Sequence, residues 1–176
     1  MTNPTQTGVR IALAPRPSAN VSTGLTVLDH LVGELARTGR FKLSLEVAPG
    51  SPDEAVAAAG RALGSALADL LAAPGATGLG WAVVPSAEAL ATAALERDDE
   101  PRLVSNVEFS GQRVGGLATD VASGFLREAA EGAGINLHVR VLEGTDPQHV
   151  LTAIYKAVGA ALGQACRPVP GPEEQI

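Results

Sequence analysis

Residues 134–165 read GINLHVRVLEGTDPQHVLTAIYKAVGAALGQA, and this stretch predicts a strand, a turn and a helix in that order. Leu137, Val139 and Val141 alternate with polar residues, which is typical of a half-buried strand. After GTDP breaks the chain, apolar residues recur at helical spacing, at Leu151, Ile154, Val158 and Leu162. One histidine, His149, lies where this helix begins, and its role is the first question about function.

The same order of elements occurs earlier in the chain. Residues 25–39 predict an amphipathic helix, residues 42–47 a strand, and residues 53–71 a second helix. The second half repeats this order at an offset of 94 to 95 residues, in residues 120–134, 136–141 and 148–165. Pro52 and Pro147 fall at the same place in the two copies. This agreement predicts an internally duplicated chain.

The repeated unit predicts an α+β fold in which mixed sheets pack on a layer of helices. We expect one duplicated domain over residues 1–166, with halves at about 8–98 and 102–166, followed by an irregular tail at 167–176. Between the two units, GWAVVPSAEALATAALE (residues 80–96) is interpreted as a further strand followed by a short apolar helix.

Composition and charge exclude several classes of function. The formal net charge is −6, so the chain offers no basic surface for nucleic acid. No apolar run approaches the length of a membrane span, and the N-terminus has no secretory pattern, so we expect a cytoplasmic protein. The one cysteine, Cys166, falls on the apolar side of a helical pattern and is predicted to be buried.

Each of the titratable residues near the predicted turns also has a purely structural interpretation. Asp53 and Glu54 are favourable in the first turn of a helix without any other role. His30 lies between apolar helix residues and is predicted to be a half-buried structural histidine. His138 is on the polar side of its strand, and His149 near a helix start is favoured in the neutral form that binds metals.

Several motifs together resemble one known family. STGLTVLDHL, VPSAEALA and IYKAVGAALGQA, with the long segment NVEFSGQRVGGLATDV, are similar in order and spacing to imidazoleglycerol-phosphate dehydratases over roughly residues 6–166. The resemblance implies a subunit with a helical layer between sheets, trimers that assemble into a 24-subunit shell, and sites at subunit junctions. It also implies a carbon–oxygen lyase of histidine biosynthesis, with two manganese ions and a glutamate that assists the loss of water.

The metal-binding motifs of that family are only partly present here. LDH keeps His30, and NLH keeps His138. The first D-H-H-x-x-E turn has become PDEAVA, with Asp53, Glu54 and Ala57 at its ligand positions. The second turn has become PQHVLT, with ligand positions at Gln148, His149 and Thr152. The resemblance therefore leaves His30, His138 and His149 as remnant metal positions, to which Asp53 and Glu54 could add oxygen ligands.

Other functional positions of the family are substituted as well. Gln6 stands at the position of the catalytic glutamate, and an amide cannot transfer a proton as a carboxylate does. Gly78 and Glu100 fall where the family has phosphate-binding arginines. Lys156, in IYKA, is the one phosphate-binding position that still matches.

Three functions remain open on this sequence. The leading hypothesis is a dehydratase-like protein without dehydratase activity, which acts as a structural or interacting subunit of a trimer-based homo-oligomer or joins a paralogous subunit. It would need no cofactor. The second is a different enzyme or a binding protein, with either one divalent metal such as manganese or none. The third is an active dehydratase with a rebuilt site. None of the three involves nucleic acid or a membrane.

Overall fold

The computed structural model describes residues 7–108 and 112–169. In the first half the elements are β1 (Gly8–Leu13), β2 (Ser18–Ser22), α1 (Thr26–Thr38), β3 (Phe41–Glu46) and α2 (Pro52–Leu71). A hairpin of β4 (Leu79–Ser86) and β5 (Ala89–Arg97) follows. The second half contains β6 (Arg102–Ser105), β7 (Arg113–Val114), β8 (Leu117–Ala118), α3 (Thr119–Ala133), β9 (Ile135–Glu143) and α4 (Pro147–Ala165).

Two mixed sheets carry the fold, as the sequence predicted. The first sheet has the order β1-β3-β2, and the second has the order β4-β5-β9-β6. In the first sheet, β3 pairs antiparallel with β1 and parallel with β2. In the second, β9 pairs antiparallel with β5 and parallel with β6. The predicted α+β class is confirmed, and the order helix, strand, helix occurs in both halves. The domain limits at residues 1–166 remain a prediction.

The apolar faces that the periodicity predicted are buried. In β9, Ile135, Leu137 and Val139 are buried while the residues between them are partly or fully exposed. Most residues of α4 are buried, because this helix packs on α1 and on the strands β4 and β5. Cys166, directly after α4, is buried as predicted. No helix in the described part of the chain is long and apolar enough to cross a membrane.

Glycines set the distance between the packed helices. A Cβ atom at Gly159 of α4 would overlap the carbonyl oxygen of Leu35 in α1, and one at Gly163 would overlap that of Gly39. In the other half, a Cβ at Gly64 of α2 would lie 2.5 Å from the carbonyl oxygen of Ala129 in α3. Both helix pairs therefore pack backbone against backbone, which only residues without a side chain permit.

The short apolar helix predicted within residues 80–96 is wrong, because this segment forms the strand β5. Ala87 adopts φ 49° in the turn after β4 and reverses the chain. Ala89, Ala91, Ala93 and Leu95 then alternate inward beneath α4. Alanine favours helices, but here its small size lets α4 approach the sheet, and packing overrides propensity.

The strand β2 is an element that the sequence pattern did not indicate. Its sequence SANVS has only Val21 partly buried, so it lacks an alternating apolar pattern. Its regular structure comes from parallel pairing with β3, which places Ser18 beside Lys42 and Ser22 beside Glu46. A strand that is held mainly by backbone pairing leaves little trace in side-chain composition.

We expect Gly159→Ala to lower the free energy of unfolding by about 2 kcal/mol, because the added methyl group forces α1 and α4 apart. Gly33→Ala in α1 is the matched control, since a Cβ there meets nothing within 4 Å. The control should be neutral or more stable by up to about 1 kcal/mol. Urea unfolding followed by circular dichroism measures both, and equal stability of the two variants would contradict the proposed close packing.

Candidate functional site

The turn before α4 is built as a helix start. Asp146 is the N-cap, and its Oδ1 accepts hydrogen bonds from the backbone N–H groups of Gln148 at 2.9 Å and His149 at 3.2 Å. Pro147 occupies the first helical position, where its missing N–H costs nothing. The N-cap and the proline therefore explain why α4 begins at this segment.

His149 contacts a carboxylate from the β4–β5 turn. Its Nδ1 lies 2.5 Å from Oε2 of Glu88, and Oε1 of Glu88 accepts the backbone N–H of Asp146 at 3.1 Å. Hydrogen bonds from the backbone N–H groups of Glu88 itself and of Asp146, together with His149, lower the pKa of Glu88 to about 2. Glu88 is thus ionised at neutral pH, Nδ1 donates to it, and any ligand of His149 must use Nε2.

His30 lines a cavity between α1 and α4. The cavity has a volume of about 140 Å³, and its lining carries no carboxylate, lysine or arginine, so we call it the neutral cavity. It is lined by Thr26, Val27, His30, Leu31, Val114, Gln148, Leu151 and Thr152. The hydroxyl of Thr152 donates to the carbonyl oxygen of Gln148 at 2.8 Å. The prediction that His30 is half-buried is wrong, because His30 is exposed where it lines this cavity.

A second cavity occupies the equivalent place between α2 and α3. Its volume is about 290 Å³, and we call it the acidic cavity because its lining has three carboxylates and one arginine. It is lined by Asp53, Val56, Ala57, Asp120, Val121, Gly124, Arg127 and Glu128. Six of these positions match lining positions of the neutral cavity at the offset of 94 or 95 residues. Asp53 corresponds to Gln148, and Gly124 corresponds to His30. The repeated topology therefore forms the same cavity twice, with different chemistry.

Glu54 is engaged in the start of α2. Its Oε2 accepts the backbone N–H of Ser51 at 3.1 Å, and the Ser51 hydroxyl accepts the backbone N–H of Glu54 at 3.3 Å. This reciprocal pair is a capping box, and the hydrogen bonds with Ser51 lower the pKa of Glu54. Asp53, one residue earlier, lines the acidic cavity instead. Of the two adjacent carboxylates, Glu54 therefore caps the helix and Asp53 lines a cavity.

The other predicted positions lie on separate surfaces. His138 is exposed on the outer face of the second sheet, opposite Ala94 of β5, and it lines neither cavity. Lys156 donates from Nζ to the carbonyl oxygen of Pro85 at 2.9 Å. Glu100 is exposed and lies 3.3 Å from the guanidinium of Arg102. Gln6 lies outside the described residues.

The donors of one chain do not fit a manganese centre. Across residues 7–108 and 112–169, no three histidine, cysteine, aspartate or glutamate side chains come together as metal ligands. His30 faces an amide and two hydroxyl groups, and His149 is paired with Glu88. Manganese prefers several carboxylate, carbonyl and water oxygens in octahedral geometry, so a single imidazole with neutral side chains is a poor site.

Comparisons with known proteins agree with these motifs. The family model for imidazoleglycerol-phosphate dehydratase matches residues 23–162. The dehydratase of Desulfitobacterium hafniense is 35% identical over 175 residues, covering 96% of this chain and 88% of that protein. The dehydratase of Pelobacter propionicus is 34% identical, covering 96% and 89%.

The chain belongs to the imidazoleglycerol-phosphate dehydratase family.

Two solved structures share the fold of this chain. The crystal structure of imidazoleglycerol-phosphate dehydratase from Staphylococcus aureus matches with a TM-score of 0.84 and 24% identity, covering 93% of this chain and 95% of that one. The dehydratase from Pyrococcus furiosus, solved in complex with (S)-C348, matches with a TM-score of 0.81 and 21% identity. At these identities the likeness establishes the fold alone.

Glu88 is the residue of this site that sequence reasoning missed. It lies in VPSAEALA, a segment that carries the resemblance to the dehydratase family, but no motif linked it to His149 across 61 residues. The available signal was the position of a carboxylate in the turn between two strands of this sheet. Only the pairing of β5 with β9 brings that turn to the start of α4.

We expect Glu88→Gln to lower the melting temperature at pH 7, because the amide replaces an ionised acceptor for His149 and Asp146. The pKa of Glu88 falls from 4.5 to about 2 on folding, so its stabilisation is present above pH 4.5 and is lost as pH falls towards 2. The deficit of the variant should therefore shrink between pH 5 and pH 3.

Thermal unfolding monitored by circular dichroism across this pH range measures the effect. Glu131→Gln, at an exposed position of α3, is the matched control and should track the unmodified chain at every pH. A deficit that stays constant down to pH 3 would rule out the charge of Glu88 as its origin.

Proposed function

We propose that this chain is a member of the imidazoleglycerol-phosphate dehydratase family that lacks dehydratase activity and acts as a structural or interacting subunit of an oligomer. The observation that carries this proposal is the neutral cavity, in which Gln148 and Thr152 lie beside His30. By the resemblance, a histidine and a glutamate stand at these two positions in active family members. Their replacement removes an imidazole and a carboxylate from the metal site.

The geometry of the remaining donors supports the loss of metal chemistry. The hydroxyl of Thr152 already donates to the backbone, and the carboxylate of Glu54 is held in the capping box. At the matching position of the other half, Ala57 offers only a methyl group. Two ions with several ligands each cannot be assembled from the three remaining histidines, even when neighbouring subunits contribute.

The substrate phosphate also loses its expected partners. Glu100 stands at a position where the family has an arginine, and its negative charge opposes a phosphate group. An arginine–phosphate pair is a strong, charge-assisted interaction. Replacing the arginine by a glutamate therefore weakens phosphate binding more than removing the arginine side chain would. Lys156 remains, but its ammonium group is held on the carbonyl oxygen of Pro85.

An exposed apolar surface supports the assembly role. On the outer face of the second sheet, Leu79, Trp81 and Val83 of β4 are 50%, 61% and 58% exposed. Val104 of β6 is 43% exposed on the same sheet. Clustered apolar residues on a sheet face are typical of protein–protein interfaces. We propose that this face packs in a trimer-based homo-oligomer, which could extend to a 24-subunit shell or include a paralogous subunit.

One observation favours a second candidate, a repurposed enzyme with one divalent metal such as manganese. A histidine whose Nδ1 donates to a carboxylate presents Nε2 in a fixed direction, and metal-binding histidines are oriented in this way. Residues of a neighbouring subunit, with His138 or Asp53 among them, would have to complete such a site. A third candidate is an active dehydratase, since the sequence relatives carry that name.

We expect the purified chain to hold far less than one manganese ion per subunit, to show no turnover of imidazoleglycerol phosphate, and to leave a histidine auxotroph unrescued. A variant that rebuilds both turns, with Asp53→His, Glu54→His, Ala57→Glu, Gln148→His and Thr152→Glu, should gain manganese, because the missing donors return to both helix starts. Metal analysis after dialysis and a dehydratase assay measure these effects. Two tightly bound manganese ions in the unmodified chain would overturn the proposal.

We expect Val83→Lys to dissociate the oligomer, because a lysine on the apolar face must lose its water when subunits pack. Val169→Lys is the matched control, since Val169 is 75% exposed and lies outside the sheets. Sedimentation velocity gives the assembly size, and fluorescence of Trp81, the only tryptophan, gives the exposure of the face. An unchanged assembly in Val83→Lys would show that subunits meet elsewhere.

A further inference from the structure

A third cavity lies at the edge of the second sheet, where β6 and β9 face the helices α3 and α4. Its volume is about 220 Å³, and we call it the arginine cavity because Arg127 is the charged residue among its described lining residues. Most of the lining is apolar, and Leu126, Val139, Leu151 and Ile154 in it are buried. A concave site with apolar walls and a few polar groups is the usual form of a small-molecule site.

The polar side chains of the arginine cavity are hydrogen-bond donors. Ser123 and Arg127 lie one turn apart on α3, and within residues 7–108 and 112–169 neither side chain makes a hydrogen bond or an ion pair. The hydroxyl of Ser105 accepts the backbone N–H of Val107 at 3.1 Å and can still donate its own proton. Glu128, the residue after Arg127, pairs with an arginine of α2 instead.

The equivalent place in the first half is filled by the chain itself. At the offset of 94 residues, Leu28 corresponds to Ala122 and Asp29 corresponds to Ser123. Leu28 is buried, and Asp29 accepts hydrogen bonds from the backbone N–H and the hydroxyl of Thr23, which is buried as well. The second half has a smaller and a neutral residue at these two positions. The arginine cavity therefore comes from its own side chains and not from the repeated topology.

The volume of the arginine cavity limits the ligand to a small molecule. It is about one and a half times that of a cavity of about 150 Å³ that binds benzene in another protein. A ring or a branched hydrocarbon chain with one small polar group fits this space, whereas a nucleotide or a sugar phosphate does not.

The donors select the polar group of the ligand. A carboxylate accepts hydrogen bonds from hydroxyl groups, and a guanidinium can bind it through two parallel N–H donors. An ammonium group would meet Arg127 without finding a carboxylate among the described lining residues. Ser105 and Arg127 are exposed, so a carboxylate bound to them keeps part of its water while the hydrocarbon enters the cavity.

We propose that the arginine cavity binds a small apolar monocarboxylate. The carboxylate accepts from Ser105, Ser123 and Arg127, and the hydrocarbon contacts buried side chains such as Leu126 and Val139. The remnant metal positions are not among the residues that line this cavity in the described chain. The proposal therefore gives the chain a ligand of defined chemistry outside the dehydratase site, and it does not depend on the assembly role.

The test titrates four compounds into the full chain and measures binding by saturation-transfer difference NMR with EDTA present. Phenylacetate is the probe, phenylacetamide has the same shape without the charge, 2-phenylethylammonium carries a cation, and acetate lacks the apolar body. We expect phenylacetate to bind most tightly, phenylacetamide to bind more weakly, and the other two to show no binding. Absent binding of phenylacetate, or equal binding of phenylacetamide or of acetate, overturns the proposal.

A variant of the arginine tests its contact with the carboxylate. Arg127→Gln should weaken phenylacetate binding about 5-fold, the effect of losing about one hydrogen bond, and should leave phenylacetamide binding unchanged. Arg10→Gln is the matched control, since it changes the net charge equally and Arg10 is exposed on β1, away from the cavity. Equal weakening by both variants would show that net charge is responsible and would overturn the proposal.

Two further variants locate the site. Ser105→Phe should abolish phenylacetate binding, because the added ring occupies the cavity, and Ser105 is exposed on an edge strand that tolerates a larger side chain. Circular dichroism checks its folding, and retained binding in the folded variant contradicts the assignment. Gln148→Ala should bind phenylacetate as the unmodified chain does, and weaker binding would place the ligand in the neutral cavity. If Ser105→Phe does not fold, the comparison of Arg127→Gln with Arg10→Gln decides.

Discussion

The contact on which much of this structure depends is the close approach of α4 to its neighbours. Gly159 and Gly163 let the backbone of α4 touch the end of α1, and Gly80 lets β4 reach the backbone of α4 at Ala161. A single methyl group at any of these glycines meets backbone atoms that cannot move independently. The strand β5 adds buried alanines to this packing, and their small side chains let the second sheet lie close to α4.

That packing also determines where functional groups can lie. The neutral cavity forms where the start of α4 meets α1, and the acidic cavity forms where the start of α2 meets α3. Because both helix pairs pack through glycine at the same offset, their cavities share six lining positions. The two cavities thus share one scaffold, and side chains such as Asp53, Gln148 and Thr152 give them different chemistry.

The extent of successful prediction follows from the strength of each pattern. The helices and the strands β3 and β9 were predicted within a few residues, since their apolar periodicity is regular. The segment that forms β5 was predicted incorrectly. Alanines such as Ala91 and Ala93 occur both within helices and in strands that pack against a helix, so their pattern does not separate the two structures. At the site, sequence identified His30, Gln148, His149 and Thr152 but gave no indication that Glu88 contacts His149.

The sequence by itself determined the α+β class, the repeated helix–strand–helix order and the family. These properties depend on periodicity and on motifs that are local in the chain. Only the tertiary structure decided that Glu88 holds His149, that His30 faces Gln148, and that Asp53 lies in an equivalent cavity. These contacts join residues that are far apart in the chain, and their geometry is set by the depth to which glycine and alanine let α4 and α2 pack.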